Sequence, residues 1–389
     1  MRVIHTSDWH IGRRFEREPM EAEQRAFLAW LAGQVEDRKV DLVIVAGDIY
    51  DRSLPAEEAV ALLDAALNDL RAAGSTVVMI SGNHDSPRRL GFGAQRQAQG
   101  GVLIFSNDQI TPAPYVFTAG TEQVAILATP FLDPQITLPP LDDTDGNPRR
   151  RTHEHVLMDA LSAGQVQLDQ LGPMPTIAVA HAFVTGSTVS DSERLLAVGG
   201  ADAVSPEVFD GFTYVALGHL HRPQLIGGRV DVAYSGSPLP YSFSEDHPKS
   251  IRLLEMSSGG LESVEELAVP IGRPVCTLTG TLEDLLNNAS HQRYRDHWVA
   301  VKLTDDTAQA QPMDRLRARF PHIVSVRYDT QLRGGPIRGP GDSGDPVEER
   351  PPEDLVVDFL EELRERPVTE GERSLVLQAV GHARKGAEA

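Results

Sequence analysis

Five short polar motifs stand in order along the chain, each directly after an apolar run. They are Asp8-Trp9-His10, Gly47-Asp48-Ile49-Tyr50-Asp51, Gly82-Asn83-His84-Asp85, His181, and Gly218-His219-Leu220-His221. Taken singly, each reads as an ordinary polar turn. Together they gather carboxylates, imidazoles and an amide oxygen, a set that suits borderline-hard divalent metals such as Mn²⁺, Fe²⁺ or Zn²⁺. The glycines before Asp48, Asn83 and His219 permit tight turns that aim the next side chain inward.

The apolar runs that must position these motifs read as strands at residues 2–6, 42–46, 77–80, 177–180 and 214–217. In layered α/β structures strand ends converge on one rim, where ligands bind. Helical spacing covers 19–38 through Phe27, Leu28, Leu31 and Val35. Residues 55–73 form a strong amphipathic helix, with Pro55 at its start and Gly74 beyond its end. Beyond residue 100 further strands are expected at 102–105, 115–118, 124–128, 230–234 and 251–255. A helix over 152–171 interrupts them, and 133–148 is a Pro/Asp-rich loop. The mixture predicts an α/β (α+β) fold, with two packed sheets flanked by helices.

A break falls at 270–274. The stretch beyond it reads as a small βαβαβ unit, with strands at 275–281, 299–303 and 323–326 and helices at 282–286 and 313–320. Gly, Pro, Asp and Glu crowd 334–352, the composition of a flexible linker. A helical pair closes the chain, with Leu355, Val356, Phe359, Leu360 and Leu363 on the first helix and residues 370–382 as the second. The expected division is 1–272 for the catalytic domain, 273–333 for a capping domain, 334–352 for the linker and 353–389 for a partner-binding tail.

The five motifs resemble the calcineurin-like metallophosphoesterase superfamily. That resemblance implies one metal held by Asp8, His10, Asp48 and His221 and a second held by Asp48, Asn83, His181 and His219, with Asp48 bridging. It implies that His84 acts on the phosphate and that Asp51 lies near the first metal or orients His84. The longer stretches 5–12, 82–87, 214–223 and 236–243, with 47–51 and Pro55, are similar to the SbcD family of bacterial nuclease subunits. No metal-ligand position departs from that pattern. The implied chemistry is two-metal hydrolysis of DNA, as a double-strand 3′–5′ exonuclease and a single-strand and hairpin endonuclease serving repair, recombination and replication. The implied cofactors are two divalent ions, Mn²⁺ first. The implied partners are DNA, a coiled-coil ATPase of the SbcC type and a second copy of the chain, giving a heterotetramer. Residues 55–73 carry apolar side chains on more than one face, as a twofold contact needs. The competing function is a phosphoesterase of small phosphoesters or phosphoproteins.

Weaker candidates surround the motifs. Arg88 and Arg89 follow the Gly-Asn-His-Asp turn where phosphate would pass, which makes both candidates for a DNA contact beside the ordinary reading as solvated residues. Arg149, Arg150 and Arg151 read as a solvated basic loop. His153-Glu154-His155 reads as a solvated helix start, and His247 and His291 as surface residues.

Composition sets the outer limits. The formal charge of −20 argues against a generic nucleic-acid binder, which carries a basic patch. A single cysteine, Cys276, excludes an internal disulfide and a Cys-based zinc site. No run approaches the roughly 18 apolar residues of a membrane span. No apolar leader precedes the first motif, so a signal peptide is not expected. These features suit the cytoplasm.

Overall fold

The computed structural model describes residues 1–106, 113–134, 141–142, 148–149, 152–193, 203–329 and 368–376. The expected linker 334–352 and first tail helix lie outside the described residues, as do Arg150 and Arg151. The chain falls into two units, Met1–Asp329 and Thr330–Ala389.

In chain order the first unit contains β1 (Arg2–Thr6), α1 (Glu21–Arg38), β2 (Leu42–Val45), α2 (Glu57–Ala72), β3 (Thr76–Ile80) and β4 (Val102–Phe105). Next come β5 (Tyr115–Ala119), β6 (Glu122–Thr129), α3 (His153–Leu171), β7 (Thr176–His181), β8 (Tyr214–Gly218), β9 (Gln224–Ile226) and β10 (Arg229–Tyr234). The unit closes with β11 (Ser250–Ser257), β12 (Gly260–Ala268), β13 (Val275–Gly280), α4 (Leu282–Asn287), β14 (Trp298–Leu303), α5 (Pro312–Arg317) and β15 (Ile323–Tyr328).

Two six-stranded sheets pack face to face, in the orders β12-β11-β1-β2-β3-β4 and β9-β10-β8-β7-β6-β5. β1 to β4 run parallel, as do β6, β7, β8 and β10; antiparallel pairings add β11 and β12 at one edge of the first sheet and β9 and β5 at the two edges of the second. Side chains alternate between the two faces of a strand, and both faces of each central strand are buried, which explains the continuous apolar runs. Val3, Ile44, Val78 and Ile80 meet Ile126, Ile177, Val179 and Ala216 between the sheets. Ile4, Val43, Val77 and Met79 turn the other way, onto Phe27, Leu31, Val35, Leu62 and Leu70 of α1 and α2. Ala178, Ala180 and Leu217 meet Leu157, Leu161 and Leu168 of α3. The result is a four-layer helix–sheet–sheet–helix stack, the sandwich the sequence predicts.

α2 buries Ala59, Leu62, Leu63, Ala66 and Leu70 and leaves Val60 47 % exposed. Thr152 caps α3 through a reciprocal capping box with His155. A polar cross-link ties the two sheets internally. His5 on β1 meets the Tyr214 hydroxyl at 3.0 Å and the Leu217 carbonyl at 3.1 Å, and Arg252 Nε donates to the same hydroxyl. Burial pushes the His5 pKa down to about 3, so the ring is neutral.

β13, β14 and β15 form a separate parallel sheet, covered by α4 and α5 around Leu282, Leu285, Leu303, Leu316 and Phe320. Cys276 packs into this small core. Trp298 joins the small sheet to the main body by stacking on Phe15, with ring centroids 5.3 Å apart. In the second unit, residues 370–376 are helical, and Thr369 and Glu372 form a capping pair.

The sheets draw closest at one rim, where Gly218 lies against Ala46. A Cβ on Gly218 would sit 1.8 Å from the Ala46 carbonyl oxygen. Gly33, inside α1, has nothing within 4 Å. The same Gly→Ala change therefore acts in opposite directions. Gly33→Ala is expected to stabilise by up to about 1 kcal/mol through helix propensity. Gly218→Ala is expected to destabilise by at least about 3 kcal/mol, because backbone rather than a pliable side chain must move. Urea unfolding of the two variants checks the sign.

Candidate metal centre

All five motifs leave the carboxyl ends of parallel strands at that rim. Asp8 and His10 follow β1, Asp48 follows β2, and Asn83 and His84 follow β3. His181 ends β7, and His219 and His221 follow β8. The first two loops stay paired beyond their strands. Asp8 N–H donates to the Gly47 carbonyl at 3.0 Å and His10 N–H to the Asp48 carbonyl at 2.9 Å.

Four of these residues hold left-handed backbone, with φ of 52° at Asp8, 43° at His10, 50° at Asp48 and 109° at His219. Such conformations cost roughly 1–3 kcal/mol each and cluster at functional sites. Among the three motif glycines, the turn argument holds for Gly47 alone, at φ 95°. Gly82 and Gly218 are held small by close approach instead. A Cβ on Gly82 would meet Asp48 Oδ1 at 2.2 Å.

The side chains converge. Asp48 Oδ2 lies 3.6 Å from His10 Nε2 and 3.5 Å from His181 Nε2. His10 Nε2 is 3.2 Å from His221 Nε2. Asn83 Oδ1 is 2.9 Å from His181 Nε2 and 3.2 Å from His219 Nδ1. Asp8 accepts from the His219 backbone N–H and from Ser7. Asp8, His10, Asp48, His181, His219 and His221 are all buried, and Asn83 is half-buried.

The donor set fits cations. His181 Nδ1–H donates to the Ala46 carbonyl at 2.9 Å, which points Nε2 at Asn83 Oδ1 and Asp48. His221 Nδ1 is committed to Ser192 Oγ at 2.6 Å, so its Nε2 lone pair faces His10. Nitrogen and oxygen acceptors that converge in a dry site need a proton or a metal ion between them. Burial alone would lower the His181 pKa, but the Asp48 carboxylate raises it to about 9. Burial holds His10 and His219 well below the ordinary histidine value, as a metal-ligating imidazole requires. Burial pushes Asp8 up to about 6. Three overlapping groups have ligand atoms close enough for one ion: Asp8, His10 and His221; His10, Asp48 and His84; and Asp8, Asp48 and His181.

His84 sits at the mouth. Its Nδ1–H donates to the Asp51 backbone carbonyl at 2.8 Å, and its N–H to Asp48 Oδ1 at 2.9 Å. Asp51 therefore orients His84 through its main chain. Its carboxylate goes to Arg13 at 3.0 Å and stands 3.7 Å from His10 Nδ1. Asp85 does the loop work that the motif alone does not reveal. It accepts from the N–H groups of Ile49, Tyr50 and Gly82, locking the second motif to the third.

A supporting shell behind His221 has no sequence motif. Ser192 bridges the His221 ring to Glu245, Glu193 accepts the His221 N–H at 2.6 Å, and Lys249 pairs with Glu245. The Tyr241 hydroxyl donates to the Trp9 carbonyl at 2.6 Å. Metal-ligating histidines rely on such partners for tautomer and orientation.

Other expected residues fall elsewhere. His153 is buried rather than solvated, its ring 5.2 Å from Phe131, because the helix start turns inward. His247 is half-buried and meets the His221 carbonyl at 3.3 Å, so it backs the site rather than the surface. His291 is remote and pairs with Asp284. Arg88 and Arg89 are exposed beside the His84 loop, and Arg89 donates to the Ser53 carbonyl. Arg149 lies in a two-residue strand paired with Leu141–Asp142.

Comparison with known proteins adds an independent line. The calcineurin-like phosphoesterase family model matches residues 1–223, and the Type 5 capsule protein repressor C-terminal domain model matches 272–364. The chain is 33 % identical over 318 residues to the D subunit of the SbcCD nuclease of Escherichia coli K12, spanning 79 % of this chain and 78 % of that one. The figures are the same for the protein of that name in Escherichia coli O157:H7. Among solved structures, TT1561 of Thermus thermophilus is 13 % identical with a TM-score of 0.38. A dimetal phosphatase from Danio rerio is 15 % identical with a TM-score of 0.40. Each covers 69 % of this chain and 98 % of its own.

Asp48 stands in two of the three candidate groups and touches imidazoles from both sheets. Asp48→Asn is therefore expected to lose two bound ions, and His10→Ala to weaken mainly one. Metal content of the purified variants measures this. Full occupancy in Asp48→Asn would rule out a bridging role.

Proposed function

The chain belongs to the calcineurin-like phosphoesterase family, and from that premise we propose that it is the nuclease subunit of an SbcCD-type complex. The observation that carries this reading is the likeness to the D subunit of the SbcCD nuclease over 318 residues. It extends well past the 223 residues that match the general phosphoesterase family. The reaction is hydrolysis of DNA phosphodiester bonds with two divalent ions, Mn²⁺ first among them. The products carry a 5′-phosphate and a free 3′-hydroxyl. The activities are those of a double-strand exonuclease and a single-strand endonuclease, in repair, recombination and replication in the cytoplasm. Among the described residues, no helix is long and apolar enough to cross a membrane.

Asp8, His10, Asp48 and His221 hold one ion in this reading, and Asp48, Asn83, His181 and His219 the other. When bound, such a pair neutralises phosphate oxygens and lowers the pKa of an attacking water. The protein's part is placement. The strained loops after β1, β2 and β8 fix the ligands. Asp51 holds His84 by Nδ1, so Nε2 is the atom that meets the phosphate. As an imidazolium, His84 stabilises the developing charge or protonates the leaving oxygen. Arg13 pairs with the Asp51 carboxylate at 3.0 Å and so braces the residue whose carbonyl holds His84.

His84→Ala is expected to keep its metals and fold while turnover falls by a factor of roughly 10² to 10⁴. The assay compares Mn²⁺-dependent cleavage of labelled DNA with hydrolysis of a chromogenic phosphomonoester. Preference for the small ester would favour a phosphatase. Near-normal DNA cleavage by His84→Ala would remove the residue from the mechanism.

The partners in this reading are DNA, an SbcC-type coiled-coil ATPase and a second copy of the chain. The tail 353–389 supports the ATPase contact by its two apolar clusters, Leu355 to Leu363 and Leu375, Val376, Leu377 and Val380, which offer a helix-in-groove surface. Deleting residues 345–389 is expected to abolish stable association with the ATPase and leave metal content and basal cleavage intact. Co-purification at full strength would move the interface to the catalytic or capping region.

A further inference from the structure

The segment that follows His84, in which the short helices Pro87–Leu90 and Ala94–Gln99 flank a turn, is basic and exposed. Residues 86–101 contain Arg88, Arg89 and Arg96 and no Asp or Glu, within a chain of formal charge −20. All three arginines are exposed. Between them Phe92 is 84 % exposed, the most exposed large apolar side chain among the described residues. The ring is displayed by a built turn. Phe92 N–H donates to the Arg89 carbonyl at 3.2 Å, and Gln97 Nε2 donates to the Phe92 carbonyl at 3.3 Å. Gly91 packs so closely on Ser106 that a Cβ there would lie 2.3 Å from Ser106 Oγ. Gly93 takes a left-handed φ of 75°.

This loop is clasped to the loop after β2 at two points. His84 Nδ1–H bonds the Asp51 carbonyl at 2.8 Å, and Arg89 Nη1 bonds the Ser53 carbonyl at 3.0 Å. Leu54, next to Ser53, is 70 % exposed, and the Arg52 side chain is 76 % exposed. Two apolar side chains and four arginines thus stand on two segments that are joined to each other at His84 and Arg89. Cations offer contacts to phosphate, and an exposed ring offers a face to a base. That pairing of stacking platform and positive charge is how proteins hold single-stranded nucleic acid without reading sequence.

We propose that Phe92 is a stacking platform for an unpaired base at a DNA end, with Arg88, Arg89 and Arg96 on the adjoining phosphates and Leu54 on the neighbouring loop. The proposal rests on the nuclease reading above and narrows its substrate to ends with at least one base free of its partner. A fully paired blunt end offers no open base face until it frays.

The test uses the full chain with Mn²⁺, in a His84→Ala background so that DNA is not consumed. Binding of a labelled duplex with a single-stranded tail is compared with binding of a blunt duplex. Adding Phe92→Ala is expected to weaken tailed-duplex binding roughly 5- to 150-fold, the range of one lost base stack. Blunt-duplex binding should change much less, and Phe92→Tyr should restore the tailed preference. Metal content serves as the control for folding. Equal tailed-duplex affinity with and without the ring overturns the proposal, as does an equal loss on both substrates. Loss of self-association or of ATPase binding with DNA affinity intact also overturns it, assigning Phe92 to a protein contact. If the unsubstituted chain cleaves small phosphoesters but neither binds nor cleaves DNA, it is the nuclease reading that fails.

Discussion

The backbone carbonyl of Ala46 is the point on which the site depends. It accepts the His181 Nδ1–H at 2.9 Å, and Gly218 closes against it with no room for a Cβ. Ala46 directly follows β2 of the first sheet, while His181 and Gly218 end strands of the second. The candidate ligands are divided in the same way, with Asp8, His10, Asp48 and Asn83 from one sheet and His181, His219 and His221 from the other. This contact holds the two half-sites face to face at the rim itself. Farther along the strands, the His5–Tyr214–Arg252 cross-link fixes the same relation internally. Hydrophobic burial holds the sheets together but has no direction. These polar contacts supply the register.

The same constraint accounts for the strain. A strand that simply ended would send Asp8, His10, Asp48 and His219 outward. Left-handed backbone at these four positions folds them back into the rim. Four such residues amount to several kcal/mol at roughly 1–3 kcal/mol each. The local hydrogen bonds over-determine the geometry: Asp8 to Gly47, His10 to Asp48, His219 to Asp8, and Asp85 to three N–H groups at once. Asp85 is thus a clamp between two loops, and its worth lies in rigidity more than in any contact with substrate.

The chemistry of the site is legible in the sequence because it demands particular residue types, and few substitutes exist for a carboxylate or an imidazole. The layers are legible because both faces of the central strands are buried, which leaves runs such as Leu42-Val43-Ile44-Val45. Whatever depends on distance in space stays hidden. Ser192, Glu193, Glu245 and Lys249 meet His221 from separate loops, and nothing in their spacing announces it. His153 reads as solvated because a helix start is usually wet, whereas this one tucks under Phe131. Asp51 stands where a motif predicts a carboxylate role, yet its main chain does the orienting. No side-chain pattern can signal that.

The small three-stranded unit is coupled to this chemistry by one side chain. Tyr241 shares an apolar cluster with Phe15, Val275 and Trp298, where the unit meets the main body. Its hydroxyl reaches the Trp9 carbonyl at 2.6 Å, and its ring lies 5.3 Å from that of His10 and 5.4 Å from that of His221. Arg13, the partner of Asp51, lies over the same ring, 5.0 Å from its centroid. Close-packed interiors transmit displacement because they contain little free space. Through Trp298, Phe15 and Tyr241 the small unit thus packs next to the ring that meets both histidines of one candidate ion and the arginine paired with Asp51. The junction between the small unit and the site is therefore built from packing rather than from shared ligands.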